Sequence, residues 1–328
     1  MFAVTVSDST QVAEARRRAS SAAAAESGFN EEHAGRVALV ATELSTNLIK
    51  HADGGQLVVN ARDRCVELLA LDRGPGIADL DRCLADGYST AGTRGNGLGA
   101  IRRLAQSFEA VSWPGRGTAV FAEICPDRKS RPEKAIGPAA VVLAKLGETV
   151  SGDAWSSYED ATGVTLFVVD GLGHGTEAAV AAHAAVGQFH NSRHEPPAEI
   201  LAAVHRAIRH TRGGAVAVAR VQWESATVTY AGLGNIVGVL IGAGGVERRM
   251  VSQNGTAGHN ARRIQSFEYP CSDGVLIMHS DGVATSWRLD AYPGLIKAHP
   301  MLVAGVLYRD FARGRDDATV VVAPTRSA

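Results

Sequence analysis

The sequence predicts a two-domain α+β protein, in which an α/β sandwich is followed by layered β-sheets with flanking helices. Three observations support this prediction. The 328 residues exceed what a single hydrophobic core usually organises. A charged stretch flanked by prolines, at 126–137, has the composition of a linker. Helices and strands alternate before this stretch, whereas strand-like runs predominate after it. We therefore predict domains at 1–125 and 138–328.

The first domain is predicted to place its helices on one face of an antiparallel sheet. Its longest predicted helix repeats apolar residues at three- and four-residue steps. Two strands flank Asp63-Arg64 as a hairpin. The predicted elements, in chain order, are helices at 10–27 and 30–51, strands at 56–62 and 65–72, a helix at 100–106, and strands at 108–111 and 118–124.

The second domain is predicted to be mainly β-sheet, with only two helical stretches. Its predicted strands are 141–146, 164–169, 215–223, 227–231, 236–241, 275–279 and 319–322, and its predicted helices are 178–189 and 197–210. Many strands with few helices are typical of stacked sheets covered by helices.

Charge and composition exclude several classes of protein. With 33 Lys+Arg against 34 Asp+Glu, the chain has no overall positive field for nucleic acid or an anionic membrane. It has no apolar run of the roughly 18 residues that a membrane helix needs. Four cysteines lie far apart without a C-x-x-C pair, so we expect free, buried thiols. These observations predict a cytoplasmic protein without nucleic-acid or membrane partners.

A candidate nucleotide site combines three motifs of the first domain. Glu43 and Asn47 are four residues apart and therefore share one face of a helix. The other members end a strand or precede a helix: Asp72, Gly74, Gly76, Gly95, Gly97, Leu98 and Gly99. Glycine amides at a helix start bind phosphates, and a side-chain amide oxygen is a hard ligand for Mg²⁺. A carboxylate at Asp72 would accept from an adenine amino group and oppose the guanine carbonyl, which favours ATP.

In this order, Glu-x-x-x-Asn, Asp-x-Gly-x-Gly and Gly-x-Gly-x-Gly resemble the GHKL (Bergerat) ATP-binding fold over nearly all of residues 1–125. The runs at 43–52, 86–90 and 97–104 resemble more closely the RsbT group of anti-sigma-factor-type serine kinases. The resemblance implies a glycine-rich lid that closes over the phosphates of bound ATP.

The same resemblance implies individual roles. Asn47 would bind Mg²⁺, Asp72 would read adenine, and Thr118 would lie beside the base. Glu43, one turn from Asn47, would take the proton of an incoming Ser or Thr hydroxyl as that oxygen attacks the γ-phosphorus. His51 is expected to cap or pack rather than to accept a phosphate.

A candidate metal site is predicted in the second domain, where acids follow or precede strands. These acids are Asp153, Asp170, Asp281 and Asp316, with Asp317 as the alternative to Asp316. Four carboxylates that converge require cations to remain ionised together. Oxygen-only ligands favour Mn²⁺ or Mg²⁺ over zinc, and two such ions would activate water for in-line attack on a phosphoryl group.

The ordered acids resemble metal-dependent PP2C-type phosphatases of the SpoIIE branch over about residues 138–323. Further runs resemble the RsbX phosphatases: 154–155, 211–215, 231–235, 254–259 and 308–311. The resemblance implies that the four acids ligate two metal ions, with the Gly171 carbonyl contributing. Animal-type relatives carry His directly after the Asp-Gly pair, but this chain has Leu172 there. Leaving-group protonation would then fall to water, and His174 is expected to be structural.

Together, the two resemblances imply a bifunctional regulator of bacterial stress signalling that phosphorylates and dephosphorylates STAS-domain proteins. Its cofactors would be ATP with Mg²⁺ in the first domain and two Mn²⁺ or Mg²⁺ in the second. Two alternatives stay open. The first domain would bind nucleotide and a partner only to gate the phosphatase, or it would sequester a sigma factor while the phosphatase acts on a regulator that releases it.

Overall fold

Three five-stranded antiparallel sheets organise the computed structural model, which describes residues 1–26, 28–84, 97–126, 136–242, 244–271 and 273–326. The first elements are β1 (Phe2–Val6), α1 (Ser9–Ala25), α2 (Glu31–Ala52), β2 (Gly55–Arg62), β3 (Cys65–Leu71), α3 (Leu80–Leu84), α4 (Gly97–Leu104), β4 (Ser107–Ser112) and β5 (Thr118–Ile124).

The remaining elements follow in chain order. They are β6 (Ala139–Leu143), β7 (Asp153–Asp160), β8 (Gly163–Gly171), α5 (Thr176–Ser192), α6 (Pro197–Ala207), β9 (Gly214–Gln222), β10 (Thr227–Leu233), β11 (Val237–Gly242), β12 (Glu247–Arg249), β13 (Phe267–Pro270), β14 (Gly274–His279), α7 (Pro300–Phe311) and β15 (Ala318–Pro324).

The chain divides into two units that do not follow a single cut in the sequence. The first unit contains Met1–Lys134 and, in addition, Asp290–Arg309, whereas the second contains Ala135–Leu289 and Asp310–Ala328. Most of α7 is therefore part of the first unit, and the second unit resumes at the last residues of this helix.

The sheet of the first unit has the order β1-β2-β3-β5-β4, and α1 and α2 cover one of its faces. Helix α2 begins at a capping box, in which the Asn30 side chain accepts from the His33 amide at 2.9 Å. Its buried residues include Val37, Val40, Leu44 and Leu48, which recur at helical spacing. This packing leaves the adjacent stripe of α2 for the candidate nucleotide site.

Helix α7 packs on the sheet of the first unit through close backbone approach. A Cβ placed on Gly305 would lie 2.7 Å from Leu69 Cδ2 of β3. Just before the helix, the His299 ring stacks on Phe121 with 4.3 Å between centroids. The sequence analysis missed α7, because its residues are apolar all round and give no amphipathic period.

The second unit contains two layered sheets with the orders β13-β10-β9-β8-β7 and β12-β11-β14-β15-β6. Leu166 and Tyr230 from the first of these sheets share a core with Leu276 and Val321 from the second. Helices α5 and α6 cover the other face of the β8–β9 pair, where Phe189 stacks on Phe167. The predicted α+β class, with layered sheets and flanking helices, is confirmed.

The expectation of four free thiols is wrong for Cys65 and Cys125, which form a disulfide with a Cα–Cα distance of 4.4 Å. The physical reason is strand register. Val66 is paired with Ile124 across β3 and β5, so the next residues outward face each other. A sequence separation of 60 residues does not reveal that register. Cys83 and Cys271 are free, and no helix among the described residues has the length and apolarity to cross a membrane.

Candidate functional site

The acids of the second unit converge because strand register brings them together. Asp153 begins β7 and Asp170 lies near the end of β8, and the two are direct partners in the antiparallel ladder. Asp281 follows β14 and Asp316 precedes β15, and these strands are also paired. Asp281 and Asp316 lie close enough to Asp170 to raise the pKa of its carboxyl. All four predicted acids therefore lie near Asp170, although no three of their carboxylates, all among the described residues, bring ligand oxygens within 4.8 Å of one another.

Burial and mutual repulsion disfavour the ionised form of the carboxyl groups in this cluster. Burial, followed by the charges of Asp153 and Asp281, raises the pKa of Asp170. Burial also raises the pKa values of Asp153 and Asp281. Asp153 Oδ2 is fully buried and has no hydrogen-bond partner of ordinary geometry among the described residues, although interactions with the Ser280 and Thr319 side chains lower the pKa of this carboxyl. A buried, unpartnered carboxylate oxygen among like charges is what a divalent cation satisfies, so these residues fit a metal site.

The two consecutive acids before β15 have different surroundings. The Asp317 carboxylate is buried and accepts backbone N–H groups from Lys145 and Gly152, each at 2.7 Å. Asp316 is exposed, and its Oδ1 accepts the amide of Asp317 at 2.9 Å. Asp317 thus fixes the segment that leads into Asp153, whereas the environment of Asp316 is open to a ligand.

Two further contacts shape the rim of the cluster. Asn235 Nδ2 donates to Asp281 Oδ2 at 2.8 Å, which orients that carboxylate. The Gly171 amide donates to Gly152 O at 3.0 Å, and a Cβ on Gly171 would lie 2.3 Å from Ala178 O. Only glycine therefore fits at this strand end. The sequence analysis gave Asn235 no role, although it lies in one of the runs that resemble RsbX.

Leu172 and His174 lie in the loop after β8. The Leu172 side chain is largely exposed, and its backbone amide donates to Gly213 O at 2.9 Å. His174 Nδ1 lies 2.7 Å from Glu148 Oε1, an interaction between two loops rather than within one. The histidine thus has a carboxylate partner that would hold its ring in place.

In the first unit, Glu43 and Asn47 lie on one stripe of α2, next to the start of α4. A Cβ placed on Gly97 would lie 3.6 Å from both terminal atoms of the Asn47 amide and 4.0 Å from Glu43 Oε2. The absence of a side chain at Gly97 therefore leaves space beside both groups. The Asn47 carbonyl oxygen fits a hard cation such as Mg²⁺. Leu98 and Gly99 continue α4, whereas Gly95 and the predicted motif at 86–90 lie outside the described residues.

Asp72 lies just after β3, where backbone groups hold its side chain. Its Oδ1 accepts the amides of Gly74 at 2.8 Å and Thr118 at 3.1 Å. Its Oδ2 accepts no hydrogen bond from the described residues, so it is available to an amino group. Burial raises the pKa of this carboxyl, and the two amide donors oppose that shift. Thr118 is buried beside it, with its hydroxyl 2.9 Å from Ser112 Oγ.

The backbone after Asp72 turns tightly because of glycines. Gly76 has a φ of 72°, and a Cβ there would lie 2.1 Å from Trp113 O. A Cβ on Gly74 would lie 2.6 Å from Ala52 Cβ at the end of α2. His51, in the last turn of α2, is exposed, and its charge opposes the raised pKa of Asp72. The described glycines thus bring the strand end close to the helix that carries Asn47.

Sequence reasoning also gave no role to Arg309, although this side chain reaches the same strand end. Arg309 Nη1 donates to the backbone oxygen of Asp72 at 2.7 Å and lies 3.4 Å from Thr118 O. The signal was present in the run 308–311, but the contact joins residues 237 positions apart.

Comparisons with known protein families identify the class of each domain. Residues 5–123 match the histidine kinase-like ATPase domain model, and residues 160–326 match the model of stage II sporulation protein E (SpoIIE). The fold and sites therefore define a two-domain protein that joins an ATPase-type domain to a SpoIIE/PP2C-type phosphatase domain.

Individual relatives refine this class. The serine/threonine-protein kinase RsbT of Bacillus subtilis (strain 168) is 34% identical over 103 residues, which cover 30% of this chain and 77% of RsbT. A solved structure from work on the bacterial stressosome is 27% identical, with a TM-score of 0.53, and covers 57% of this chain and 98% of its own. The structure of RsbX with magnesium shares the fold at 20% identity, with a TM-score of 0.51, covering 59% and 97%. The chain belongs to the SpoIIE family and carries an N-terminal domain of the RsbT family.

Proposed function

We propose that this chain is a bifunctional regulator that acts on Ser or Thr of STAS-domain proteins in the cytoplasm. The first domain would transfer the γ-phosphate of ATP to the partner, and the second would remove it. The acid cluster carries the phosphatase part of the proposal, because the charges of Asp153, Asp281 and Asp316 all act on Asp170 and raise its pKa. The 34% sequence identity to the serine/threonine-protein kinase RsbT and the similarity to a structure from work on the bacterial stressosome support STAS-domain proteins as the partner class.

In the phosphatase domain, the chain's own residues would hold the metal ions and orient the carboxylates that bind them. Asp153, Asp170, Asp281 and Asp316, with the Gly171 carbonyl, would hold two Mn²⁺ or Mg²⁺. When bound, these ions supply charge neutralisation for the phosphoryl oxygens and a water of lowered pKa. Asn235 orients Asp281, and Asp317 fixes the segment before Asp153. With Leu172 after the Asp-Gly pair, the proton for the leaving group comes from water.

The first test is the metal requirement of phosphate release from a phosphoserine or phosphothreonine protein. We expect activity with Mn²⁺, loss in excess chelator and recovery when Mn²⁺ is restored. Asp170→Asn should reduce the rate by about a thousandfold or more, because it removes a ligand at the centre of the cluster. Asp160→Asn is the matched control, since Asp160 ends β7 and pairs with Arg220 instead. Full activity in chelator would exclude the two-metal mechanism.

In the kinase domain, four side chains would bind ATP and its Mg²⁺ or take part in the transfer. Asp72 would accept from the adenine amino group through its open Oδ2, and Thr118 would lie beside the base. Asn47 would hold Mg²⁺ on the phosphates. Glu43 would accept the proton of the attacking Ser or Thr hydroxyl as its oxygen bonds to the γ-phosphorus, while the bond from that phosphorus to the bridging oxygen breaks and ADP leaves. The alternative, a module that binds nucleotide and a partner, needs Asn47 and Asp72 but no proton acceptor.

The second test separates these alternatives by following γ-phosphate transfer to a STAS-domain protein. Asp281→Asn silences removal so that the product accumulates. In that background, Glu43→Ala should lower transfer by about 10²- to 10⁴-fold while ATP binding is retained. Glu31→Ala, an exposed acid in the first turn of the same helix, is the matched control. ATP binding without transfer in the silenced protein would contradict the kinase and favour the gating or anti-sigma alternative.

A further inference from the structure

Two buried side chains meet at the base of the loop that carries Asp281. His279 is the last residue of β14, and Trp287 lies in the loop that follows. Trp287 Nε1 donates to His279 Nε2 at 3.1 Å, and the two rings meet edge to face. Both residues are buried in the second unit. Their hydrogen bond therefore joins the two ends of the segment that carries a predicted metal ligand.

The hydrogen bonds of His279 determine which of its ring nitrogens carries the proton. The indole N–H of Trp287 can only donate, so His279 Nε2 accepts and is unprotonated. His279 Nδ1 then carries the proton and donates to the backbone oxygen of Ser280 at 2.8 Å. Both nitrogens of a neutral imidazole are thus paired, and Trp287 fixes the tautomer that can donate to Ser280.

Hydrogen bonds hold both backbone groups and the hydroxyl of Ser280. Its amide donates to Thr319 O at 3.1 Å, and its Oγ accepts the Thr319 amide at 3.0 Å. The backbone oxygen that accepts from His279 also accepts the amide of Val283 at 3.3 Å, which closes a turn after Ser280. Ser280 and Thr319 are both buried. The position of Ser280 therefore sets the backbone from which Asp281 projects.

Other contacts act on Asp281 from the opposite side. Asn235 Nδ2 orients its carboxylate at 2.8 Å. Gly282 lies so close to the next acidic segment that a Cβ on it would be 1.9 Å from Asp317 O. These contacts hold the carboxylate and the residue after it, whereas the His279 bond holds the residue before it. A displaced Ser280 carbonyl would therefore move the Asp281 backbone out of this arrangement.

We propose that His279 and Trp287 are positioning residues of the metal site, which hold the Ser280 carbonyl and thereby place Asp281 for a divalent cation. His279 donates to the carbonyl, and Trp287 fixes the imidazole in the orientation and tautomer that this bond requires. Neither residue belongs to the proposed ligand set. This inference rests on the proposed two-metal site and adds the residues that support one of its ligands. Partners that orient metal ligands typically change metal affinity by about 10- to 100-fold when they are removed.

The experiment uses the full chain and compares His279→Asn with His279→Gln. The Asn amide nitrogen occupies the place of Nδ1 and can donate to Ser280 O, whereas the longer Gln side chain reaches the place of Nε2 and Trp287. Calorimetric titration gives the Mn²⁺ affinity, and hydrolysis of p-nitrophenyl phosphate gives kcat and KM. We expect His279→Asn to stay within about threefold of the unsubstituted Mn²⁺ affinity and His279→Gln to fall by about 10- to 100-fold. Saturating Mn²⁺ should restore most of the kcat of His279→Gln, with the substrate KM unchanged.

The same pair of variants separates positioning from packing. Gln is closer to His in volume than Asn is, so a residue that only fills its site would tolerate Gln better. The positioning role predicts the reverse order of Mn²⁺ affinities. A His279→Gln protein that binds Mn²⁺ as tightly as His279→Asn, or more tightly, would refute the proposal.

Trp287→Phe tests the second residue and decides the proposal if the His279 variants do not fold. It keeps an aromatic ring and removes the donor to His279, so the Mn²⁺ affinity should fall by about tenfold. In a His279→Asn background it should have no further effect, because Asn does not depend on that donor. Trp223→Phe is the matched control, since Trp223 Nε1 is buried and has no hydrogen-bond partner among the described residues. It should leave the Mn²⁺ affinity unchanged.

The remaining outcomes distinguish this inference from the proposed function. If the unsubstituted protein and Trp287→Phe bind Mn²⁺ equally well, the positioning role is wrong while the metal site stands. A lower melting temperature of the metal-free variants with unchanged Mn²⁺ affinity would also refute it, because packing alone accounts for that result. If the unsubstituted protein binds no Mn²⁺, the proposed metal site fails together with this inference.

Discussion

The two candidate sites obtain their geometry from different kinds of local structure. In the second unit, the acids lie at the ends of paired strands, so the register of two sheets determines their positions. In the first unit, the site combines one stripe of a helix, one strand end and a helix start at Gly97. A sheet register is a property of the whole fold, whereas the second arrangement depends on a few backbone contacts around Asp72.

The sites also differ in how strongly their residues limit the ligand. The acid cluster combines mutually repelling carboxylates, of which that of Asp153 is buried, and few ligands other than cations relieve that repulsion. The nucleotide site contributes one amide, one helix carboxylate and one strand-end carboxylate with an open acceptor atom. Its specificity depends on which hydrogen-bonding atoms remain unsatisfied. Substitutions that change charge should therefore act mainly on metal binding in one site and on base selection in the other.

The largest expected effect distinguishes the role of Asp316 in metal binding from the structural role of Asp317. Asp316→Asn should reduce phosphatase activity by about a thousandfold and weaken Mn²⁺ binding, because it removes an open carboxylate from the cluster. Asp317→Asn should instead lower the melting temperature, since one of the two backbone N–H groups on its carboxylate loses its acceptor. Leaving that buried group unpaired costs about 1–3 kcal/mol.

Calorimetric Mn²⁺ titration and thermal melting of the metal-free protein check both variants. The opposite result would contradict this assignment. If a folded Asp317→Asn protein lost all Mn²⁺ affinity while Asp316→Asn kept it, Asp317 would be the metal ligand and Asp316 the structural residue. Asp160→Asn again serves as the control, since its carboxylate pairs with Arg220 at the opposite end of β7.

The next effect concerns base selection at Asp72. In Asp72→Asn, the side-chain oxygen keeps the amides of Gly74 and Thr118, while an NH₂ group replaces the open Oδ2. A donor at that place opposes the adenine amino group and matches the guanine carbonyl. We expect the ratio of ATP to GTP affinity to fall by about 10- to 100-fold, measured by competition with a fluorescent nucleotide.

The matched control for base selection is Asp79→Asn, an acid that caps the start of α3 through the Arg82 amide. It should leave the ratio unchanged. If Asp72→Asn binds both nucleotides less tightly by the same factor, the carboxylate holds the backbone but does not read the base.

Much of the fold and of the acid cluster was predictable from sequence, for physical reasons. Apolar runs that end in Asp-Gly mark strand ends, and strand ends of layered sheets meet at shared edges, so Asp170 and Asp281 emerged from local patterns. Helix α2 followed from the helical spacing of its apolar residues. The family models confirm the two classes of domain that these motifs predicted. The roles of individual site residues stay predictions.

The elements that escaped prediction depend on contacts between distant parts of the chain. The Cys65–Cys125 disulfide depends on the register of β3 against β5, and no local pattern encodes it. Helix α7 is apolar on every side because it is buried, so the usual amphipathic signal is missing, although Pro300 stands at its first position. The contact of Arg309 with Asp72 was not predictable for both reasons: it requires helix α7 to be recognised, and it requires the packing of that helix on the sheet to be known.

The smallest expected effect concerns the pH dependence of stability in the second unit. His205 Nδ1 accepts the amide of Gly258 at 3.1 Å, so the ring must be neutral at that atom. Burial, followed by the charges of Arg209 and Arg206, lowers the pKa of His205. As pH falls below the unfolded value, the unfolded chain takes up a proton that the folded chain resists, and stability is lost. The raised pKa values of the acid cluster have the opposite effect, because they increase stability as the pH falls. The contribution of His205 must therefore be measured as a difference between the unsubstituted protein and a variant.

His205→Asn supplies this comparison, because its side-chain oxygen can accept the same amide and does not titrate. The unsubstituted protein should lose stability relative to the variant between pH 7.5 and 5, with a change in the difference of melting temperatures of about 2–4 °C, which corresponds to about 1 kcal/mol. The acids contribute equally to both proteins and cancel in the difference. His183→Asn, at an exposed position of α5, should show no such trend. A difference that is constant with pH would mean that His205 keeps its ordinary pKa and that the Gly258 contact does not depend on charge.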